Sequence, residues 1–262
     1  MSDSLGTPAT GVVVTGGASG IGKACALALG AVGRPVAVWD VDEAGAAATA
    51  AECAAIGVTS HAAHVDVSER AQIDAAVAPT LAALGSVGGL VHAAGMVRPA
   101  LDDVIDADTW DFVLDVNLRA HGLIVSALLP ALRQANPGSA VVGIASIEGL
   151  IGHGGIPSYV ASKHGLIGLT RSLAHRLGLE GIRANAVCPG YISTPMLEPA
   201  IPSPEARAQL ESTVPLGRLG AAEEVGRVVR FLLSEEASYI NGAAIVVDGG
   251  VTAVGGQKFG GG

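Results

Sequence analysis

The sequence predicts an α/β fold: a single-domain, doubly wound sheet of about seven parallel strands flanked by helices. Three observations carry that expectation. Short apolar runs alternate with helical stretches along almost the whole chain, the pattern of successive βα units. The first apolar run opens into a glycine-rich turn and then an Ala/Leu-rich helical stretch. No linker, repeat or charge block interrupts the series. Residues 1–262 therefore read as one unit, long enough to bury a large core.

The elements follow in order. Gly11 to Val14 is a β-branched run and begins a strand expected over 11–15. The turn from Thr15 to Gly22 carries glycines at 16, 17, 20 and 22, and a helix is expected over 23–31. Strand, glycine turn and helix in that order make a nest for a pyrophosphate. The glycines let backbone approach the ligand, and the helix N-terminus supplies free N–H groups and a positive dipole. The spacing here is Gly16-x-x-x-Gly20-x-Gly22 rather than the usual G-x-G-x-x-G. A second strand, 35–39, ends in Asp40, eighteen residues after Gly22. A carboxylate there can accept from both ribose hydroxyls of an adenosine, and it repels a 2′-phosphate. Val41, Asp42 and Glu43 follow it, Ser19 in the turn is uncharged, and Arg34 stands one residue before the strand, where it points away from the ribose. This set favours NAD(H) over NADP(H).

Further strands are expected over 59–65, 87–92, 139–145, 182–187 and 243–247, with the longest helices near 107–134 and 157–179. The 139–145 run ends at Ser146. Tyr159 and Lys163 lie further on, four residues apart, which on a helix puts both side chains on one face. A phenol titrates near ~10 in water, and an ammonium beside it stabilises the phenolate. Bringing that pKa to about 7 takes ~4 kcal/mol of differential stabilisation. A hydroxyl at Ser146 can polarise a carbonyl while the tyrosine moves the proton. Residues 192–215 break the alternation. Pro195, Pro199, Pro202, Pro204 and Pro215, with Met196, Leu197 and Ile201 among them, read as a substrate lid. A surface excursion with a short helix over 204–212 is the plainer alternative. Residues 252–262 form a glycine-rich tail.

With those features placed, the chain resembles the short-chain dehydrogenase/reductase family, from Gly11 to about Gly250. The family's cofactor turn, T-G-x-x-x-G-x-G, stands at Thr15 to Gly22, and its P-G-x-x-x-T at Pro189 to Thr194. The resemblance implies a Rossmann-type sheet of strand order 3-2-1-4-5-6-7. It implies NAD contacts from Gly16, Ser19, Gly20, Ile21 and Gly22, with Asp40 on the adenosine ribose. Asp66 and Val67 fall near the adenine, and Ala94 and Gly95 beside the adenosine. Pro189, Gly190, Ile192 and Thr194 fall at the nicotinamide, the last two against its carboxamide. The catalytic set falls on Asn117, Ser146, Tyr159 and Lys163, and the last two also touch the cofactor. Asn117 is the member that kinks its helix and holds a proton-relay water. One departure stands out: the family's N-N-A-G is His92-Ala93-Ala94-Gly95 here, without the asparagines that brace the central strand. His92 reads as a satisfied histidine at a strand end rather than a base. The resemblance also implies a homotetramer built through the two long helices, where Ala120, Gly122, Gly165 and Gly168 would allow close approach.

The expected activity is NAD(H)-dependent interconversion of a secondary alcohol and a ketone by hydride transfer. Met96, Ile147, Met196 and Leu197 are expected to line an apolar substrate site, with Glu148 and His153 as polar anchors. That suits a steroid, a cyclic alcohol or a similar small molecule. The alternatives are a 3-oxoacyl thioester reductase and, outside enzymes, a nucleotide-binding regulator. A regulator is free to lose one of the four catalytic residues, and all four are present. The net charge of −9 argues against nucleic acid and against an anionic membrane surface as partners. Mean hydropathy is +0.50, spread through Ala, Val and Gly rather than gathered in one long apolar run, so no membrane-spanning helix is expected. The N-terminal stretch lacks a basic start and an apolar core, so no signal peptide is expected. Cys25, Cys53 and Cys188 are odd in number and far apart. They fit reduced, packing cysteines in a cytoplasmic protein, with no metal signature.

Overall fold

Three consecutive valines show how the layers are made. In an extended strand alternate side chains enter opposite faces. Val12 and Val14 accordingly join one buried cluster, and Val13 joins another. A strand that is apolar at every position has to be covered on both sides, which is what a parallel sheet requires.

The computed structural model describes residues 8–100 and 105–253; the tail beyond Ala253 lies outside them. Its strands are β1 (Gly11–Thr15), β2 (Val36–Asp40), β3 (Ser60–His64), β4 (Val87–His92), β5 (Ala140–Ile144), β6 (Arg183–Pro189), β7 (Ile192–Ser193), β8 (Gly220–Ala221) and β9 (Ala244–Val247). Seven of them form one parallel sheet in the order β3-β2-β1-β4-β5-β6-β9, and β7 pairs with β8 apart from it. The helices are α1 (Gly20–Gly30), α2 (Glu43–Ala55), α3 (Arg70–Leu84), α4 (Ala107–Leu114), α5 (Ala120–Gln134), α6 (Pro157–Gly178), α7 (Pro204–Glu211) and α8 (Ala222–Leu232). Leu29, Ala50 and Val229 bring α1, α2 and α8 onto one face of the sheet. Ile73, Ile124, Leu128 and Leu177 bring α3, α5 and α6 onto the other. The strand order is the one the resemblance implies.

Three details differ from the sequence reading, and a further one, the break in the long helix at Asn117, is the kink that the resemblance implies. Helix α1 begins at Gly20 rather than residue 23, because the turn's own glycines enter its first turn. A Cβ on Gly22 would stand 2.0 Å from the Gly16 carbonyl oxygen, so only glycine fits there. Strand β6 runs on to Pro189, carried by its pairing with β9, where Pro189 faces Val247. The helix over 107–134 is interrupted by one π turn, Asp115–Arg119, closed by Ala120 N–H on the Asp115 carbonyl. By length and composition that stretch could cross a membrane, at 28 residues and mean hydropathy 1.5, although no such helix was expected. Its charged residues break the run, and its apolar face, with Val125, Leu128 and Leu132, lies in the core against the sheet.

Residues 192–215 contain β7, a single 3-10 turn at Glu198–Ala200 and α7, whose N-terminus is capped by Ser203 Oγ accepting from Ala206 N–H (3.2 Å). Two of the four small residues expected between subunits are used within the chain. Ala120 is in the core, and a Cβ on Gly165 would meet Leu118 Cδ2 at 2.7 Å. Gly168 has open space around it.

Candidate active site

The carboxyl ends of β1 and β4 lie side by side, and the helices that follow them leave to opposite faces. That divergence opens a crevice at this edge of the sheet. Ser19 is the extended N-cap of α1, and its side chain does not cap the helix. The first N–H groups, of Gly20, Ile21 and Gly22, are thus left to an anion. Gly20 faces Thr194 across the opening, with its Cβ position 3.5 Å from Thr194 Cβ. Asp40 is drawn to the same turn: Oδ2 accepts from Ala18 N–H and Oδ1 from Asp42 N–H, both at 3.0 Å. Arg34 is buried, donating to the Thr10 and Leu233 carbonyls at 3.0 Å each, so its charge faces away from Asp40. Lys23 on α1 is paired with Glu52 (2.7 Å).

The other residues expected at the cofactor flank this crevice. Asp66, just past β3, accepts from Ser68 N–H (2.9 Å) and Ser68 Oγ (2.7 Å), with Val67 buried beside it. Ala94 N–H donates to Thr15 Oγ1 (3.2 Å), and Gly95 lies near the Asn117 amide and the Lys163 ammonium. Pro189 ends β6, Gly190 N–H donates to the Val247 carbonyl (2.9 Å), and Thr194 Oγ1 donates to the Ile192 carbonyl (3.3 Å). An open helix N-terminus, a glycine turn and a carboxylate closing the second strand fit a dinucleotide.

The residues expected to be catalytic come from three elements. Ser146 follows β5, and its Oγ accepts from Glu148 N–H (3.1 Å). Tyr159 and Lys163 lie one turn apart on α6, which Pro157 starts. The Lys163 ammonium is 5.4 Å from the Tyr159 ring centroid and donates to the Ile144 carbonyl (2.8 Å). Burial pulls Lys163 down to about 8. Tyr159 departs from expectation: its phenol is held above the ordinary value, not below it. Burial is the largest cause, the Ser146 hydroxyl opposes it, and the Glu148 charge adds to it. The lysine alone does not make a phenolate here, because its ammonium is committed to a backbone carbonyl and sits over the ring face.

Asn117 occupies the centre of the π turn and is fully buried. Its amide accepts from Met96 N–H (2.8 Å) and donates to the Met96 carbonyl (2.9 Å) and to Ser162 Oγ (3.0 Å). Ser162 Oγ in turn donates to the Tyr159 carbonyl (2.7 Å). The kink is therefore present, and the side chain ties the loop after β4 to the helix that bears Tyr159. Ser162 was not singled out in the sequence, although Tyr159, Ser162 and Lys163 share one turn.

His92 shows how the bracing is replaced. Its Nδ1 is 2.9 Å from Thr15 Oγ1, joining β4 to β1, and Thr15 holds Ala94 N–H in the same place. His121, which sequence reasoning missed, lies with its ring centroid 5.2 Å from that of His92. It follows Asn117 by four residues, and that spacing was the available signal. Burial, then the neighbouring His121 and Lys163, push His92 well below its ordinary pKa; burial and Lys163 push His121 down to about 4. Both rings are neutral at physiological pH.

The expected substrate residues divide. Met96 and Leu197 are half-buried, while Met196 and His153 are exposed. Ile147 is 2 % exposed and belongs to the core rather than to an open wall. Glu148 is also buried. The three cysteines are free and buried, and burial pushes Cys25 up to about 12 and Cys188 up to about 11, so neither is a nucleophile.

A dinucleotide crevice that meets a serine, a tyrosine and a lysine defines a nicotinamide-dependent oxidoreductase acting on CH–OH groups. The chain belongs to the short-chain dehydrogenase/reductase family. A family model described as enoyl-(acyl carrier protein) reductase matches residues 16–252. A 3-oxoacyl-[acyl-carrier-protein] reductase of Thermotoga maritima is 36 % identical over 91 % of this chain and 96 % of its own. A cyclohexanol dehydrogenase of an Acinetobacter species is 38 % identical, over 92 % and 94 %. The crystal structure of gox2181 superposes with a TM-score of 0.90 at 32 % identity, covering 96 % of this chain and 98 % of that one.

Proposed function

We propose that this protein interconverts a hydrophobic secondary alcohol and its ketone with NAD(H) as the hydride carrier. The observation that carries the reading is Asp40, fixed to the glycine turn by Ala18 N–H while Arg34 turns inward. A carboxylate so placed accepts from ribose hydroxyls and offers nothing to a 2′-phosphate. The alcohol oxygen sits between Ser146 and Tyr159. Ser146 polarises it, Tyr159 takes or returns its proton, and Lys163 steadies the charge that develops on the phenol. Asn117 and Ser162 hold that helix against the loop at Met96. When bound, the nicotinamide accepts or returns hydride at carbon, and the protein supplies geometry and proton control. The test is a panel of secondary alcohols and ketones with both cofactors, followed through the absorbance of the reduced nicotinamide. A 3-oxoacyl thioester reductase is the second reading, supported by the Thermotoga relative. The same panel separates the two by cofactor choice.

The raised phenol sets the pH dependence. Oxidation requires Tyr159 deprotonated, so kcat/KM for the alcohol is expected to climb from about pH 7 to 9. The climb flattens above pH 8, where Lys163 loses its charge at about 8. Reduction requires the phenol protonated and stays level over the same interval. An oxidation rate that falls across it contradicts Tyr159 as the base.

We also assign a cytoplasmic setting, in keeping with three reduced, buried thiols, and a homotetramer. Its contacts are placed on the helices over 107–134 and 157–178, where Phe112 and the open face at Gly168 are available. Light scattering on the purified protein is expected to give four times the chain mass. A monomer at micromolar concentration excludes the assembly.

A further inference from the structure

A buried carboxylate beside the catalytic residues takes no part in hydride transfer. Glu148 lies two residues after Ser146, in the single 3-10 turn Ile147–Gly149 that follows β5. The turn is fixed on two sides. Its Glu148 N–H is bound by Ser146 Oγ (3.1 Å), and Gly149 presses on α6 so closely that a Cβ there would meet the Lys163 carbonyl at 2.8 Å. Glu148 is 7 % exposed, and its Oε2 has no hydrogen-bond partner among the described residues. Burial holds its carboxyl above the ordinary range, against the smaller downward pull of exposed His153 and His164. Its charge reaches both the Tyr159 and the Tyr191 phenols and raises each.

Such a placement is costly twice over. A buried acceptor left unpaired is destabilising. A carboxylate near Tyr159 also makes the phenolate harder to form, which works against alcohol oxidation. Both costs are relieved if the substrate brings the missing donor.

We infer that Glu148 receives a hydrogen-bond donor, a hydroxyl or an ammonium group, carried by the substrate one or two carbons from the reacting one. The substrate class is then a vicinal diol, the matching hydroxy ketone, or an amino alcohol, on an otherwise apolar frame. The short reach follows from the turn: the carboxylate belongs to the residue two after the serine that polarises the reacting oxygen, and the backbone N–H of that residue donates to the serine Oγ (3.1 Å). The inference rests on the alcohol–ketone reading above and narrows it.

A matched series of probes tests it: cyclohexanol, the vicinal cyclohexanediols and the vicinal aminocyclohexanols, each as cis and trans isomers where they exist. Wild type, Glu148→Ala and Glu148→Gln are assayed for NAD⁺-linked oxidation. In parallel, each probe is titrated by calorimetry into protein saturated with NADH. In wild type, a diol or an amino alcohol is expected to exceed cyclohexanol in kcat/KM by about tenfold or more, equivalent to about 1.4 kcal/mol. In Glu148→Ala that ratio should collapse to near one, with the change carried by KM. Glu148→Gln should keep the hydroxyl arm, since its amide carbonyl still accepts, and lose the ammonium arm, which separates the two donors. If Glu148→Ala melts early, the Gln variant and the wild-type ratio decide. A wild-type ratio near one for both donors overturns the inference, as does a ratio that Glu148→Ala leaves unchanged. Should no alcohol be turned over with either cofactor, the alcohol–ketone reading fails by itself. The calorimetric ratio then judges Glu148 alone, and equal or absent binding of all probes counts against it.

Discussion

Tyr159→Phe is expected to lower turnover by roughly 10²–10⁴-fold while NADH affinity stays within a few-fold. Only the ionisable oxygen is removed, and the ring remains beneath the Lys163 ammonium, which stands 5.4 Å from its centroid. The backbone of Tyr159 is held from elsewhere, by Ser162 Oγ on its carbonyl and by Asn117 on Ser162, so the helix does not depend on the phenol. Among the described residues, the titratable groups near the phenol are poorly suited to replace it. His92 and His121 are buried and neutral, and Glu148 is turned to another task. Retention of more than about a tenth of the wild-type rate, with a good substrate, would remove Tyr159 from the chemistry.

The cofactor preference is the second large effect. A 2′-phosphate carries close to two negative charges and would meet Asp40 with no free cation beside it among the described residues. At an effective dielectric near 20, like charges about 4 Å apart repel by ~4 kcal/mol. Solvent and side-chain movement reduce this, so the expected discrimination is roughly two to three powers of ten in kcat/KM, each worth about 1.4 kcal/mol. Asp40→Ala should narrow the gap mainly by weakening NAD⁺. It removes the acceptor for the ribose and releases Ala18 N–H from the carboxylate, yet supplies no partner for a phosphate. Equal values for the two cofactors in wild type, or an NADP⁺ preference, contradict the role given to Asp40.

Much of this was legible in the sequence because it depends on local pattern. The valine runs marked the central strands β1, β2, β4 and β5 to within a residue or two, since a strand covered on both faces must be apolar throughout. The glycine turn, Asp40, and the Tyr159/Lys163 spacing were readable because each chemistry restricts residue type at a fixed offset. What stayed hidden depends on contacts between distant segments. The π turn at Asn117 leaves no mark in periodicity, and its partners, Met96 and Ser162, are 21 and 45 residues away. The Thr15–His92 contact spans 77 residues, so the repair of the missing asparagines could not be read from either strand alone. Ile147 looked like a wall residue because it follows Ser146, but in the 3-10 turn it is buried in the core, and Glu148 beside it is buried as well. The sign of the Tyr159 shift was also beyond the sequence. A lysine four residues away marks proximity, but whether its ammonium or burial dominates depends on where Nζ points, and here it points to Ile144.

The most direct measurement is the formation of reduced cofactor, followed by absorbance, when purified protein meets a panel of apolar secondary alcohols with NAD⁺ and, separately, with NADP⁺. At least one alcohol in the panel, cyclic alcohols and vicinal diols included, is expected to reduce NAD⁺ at a rate that Tyr159→Phe abolishes, with NADP⁺ far slower. No reduced cofactor from any alcohol, together with no oxidation of NADH or NADPH by the corresponding ketones, contradicts the assignment of this site to alcohol–ketone chemistry.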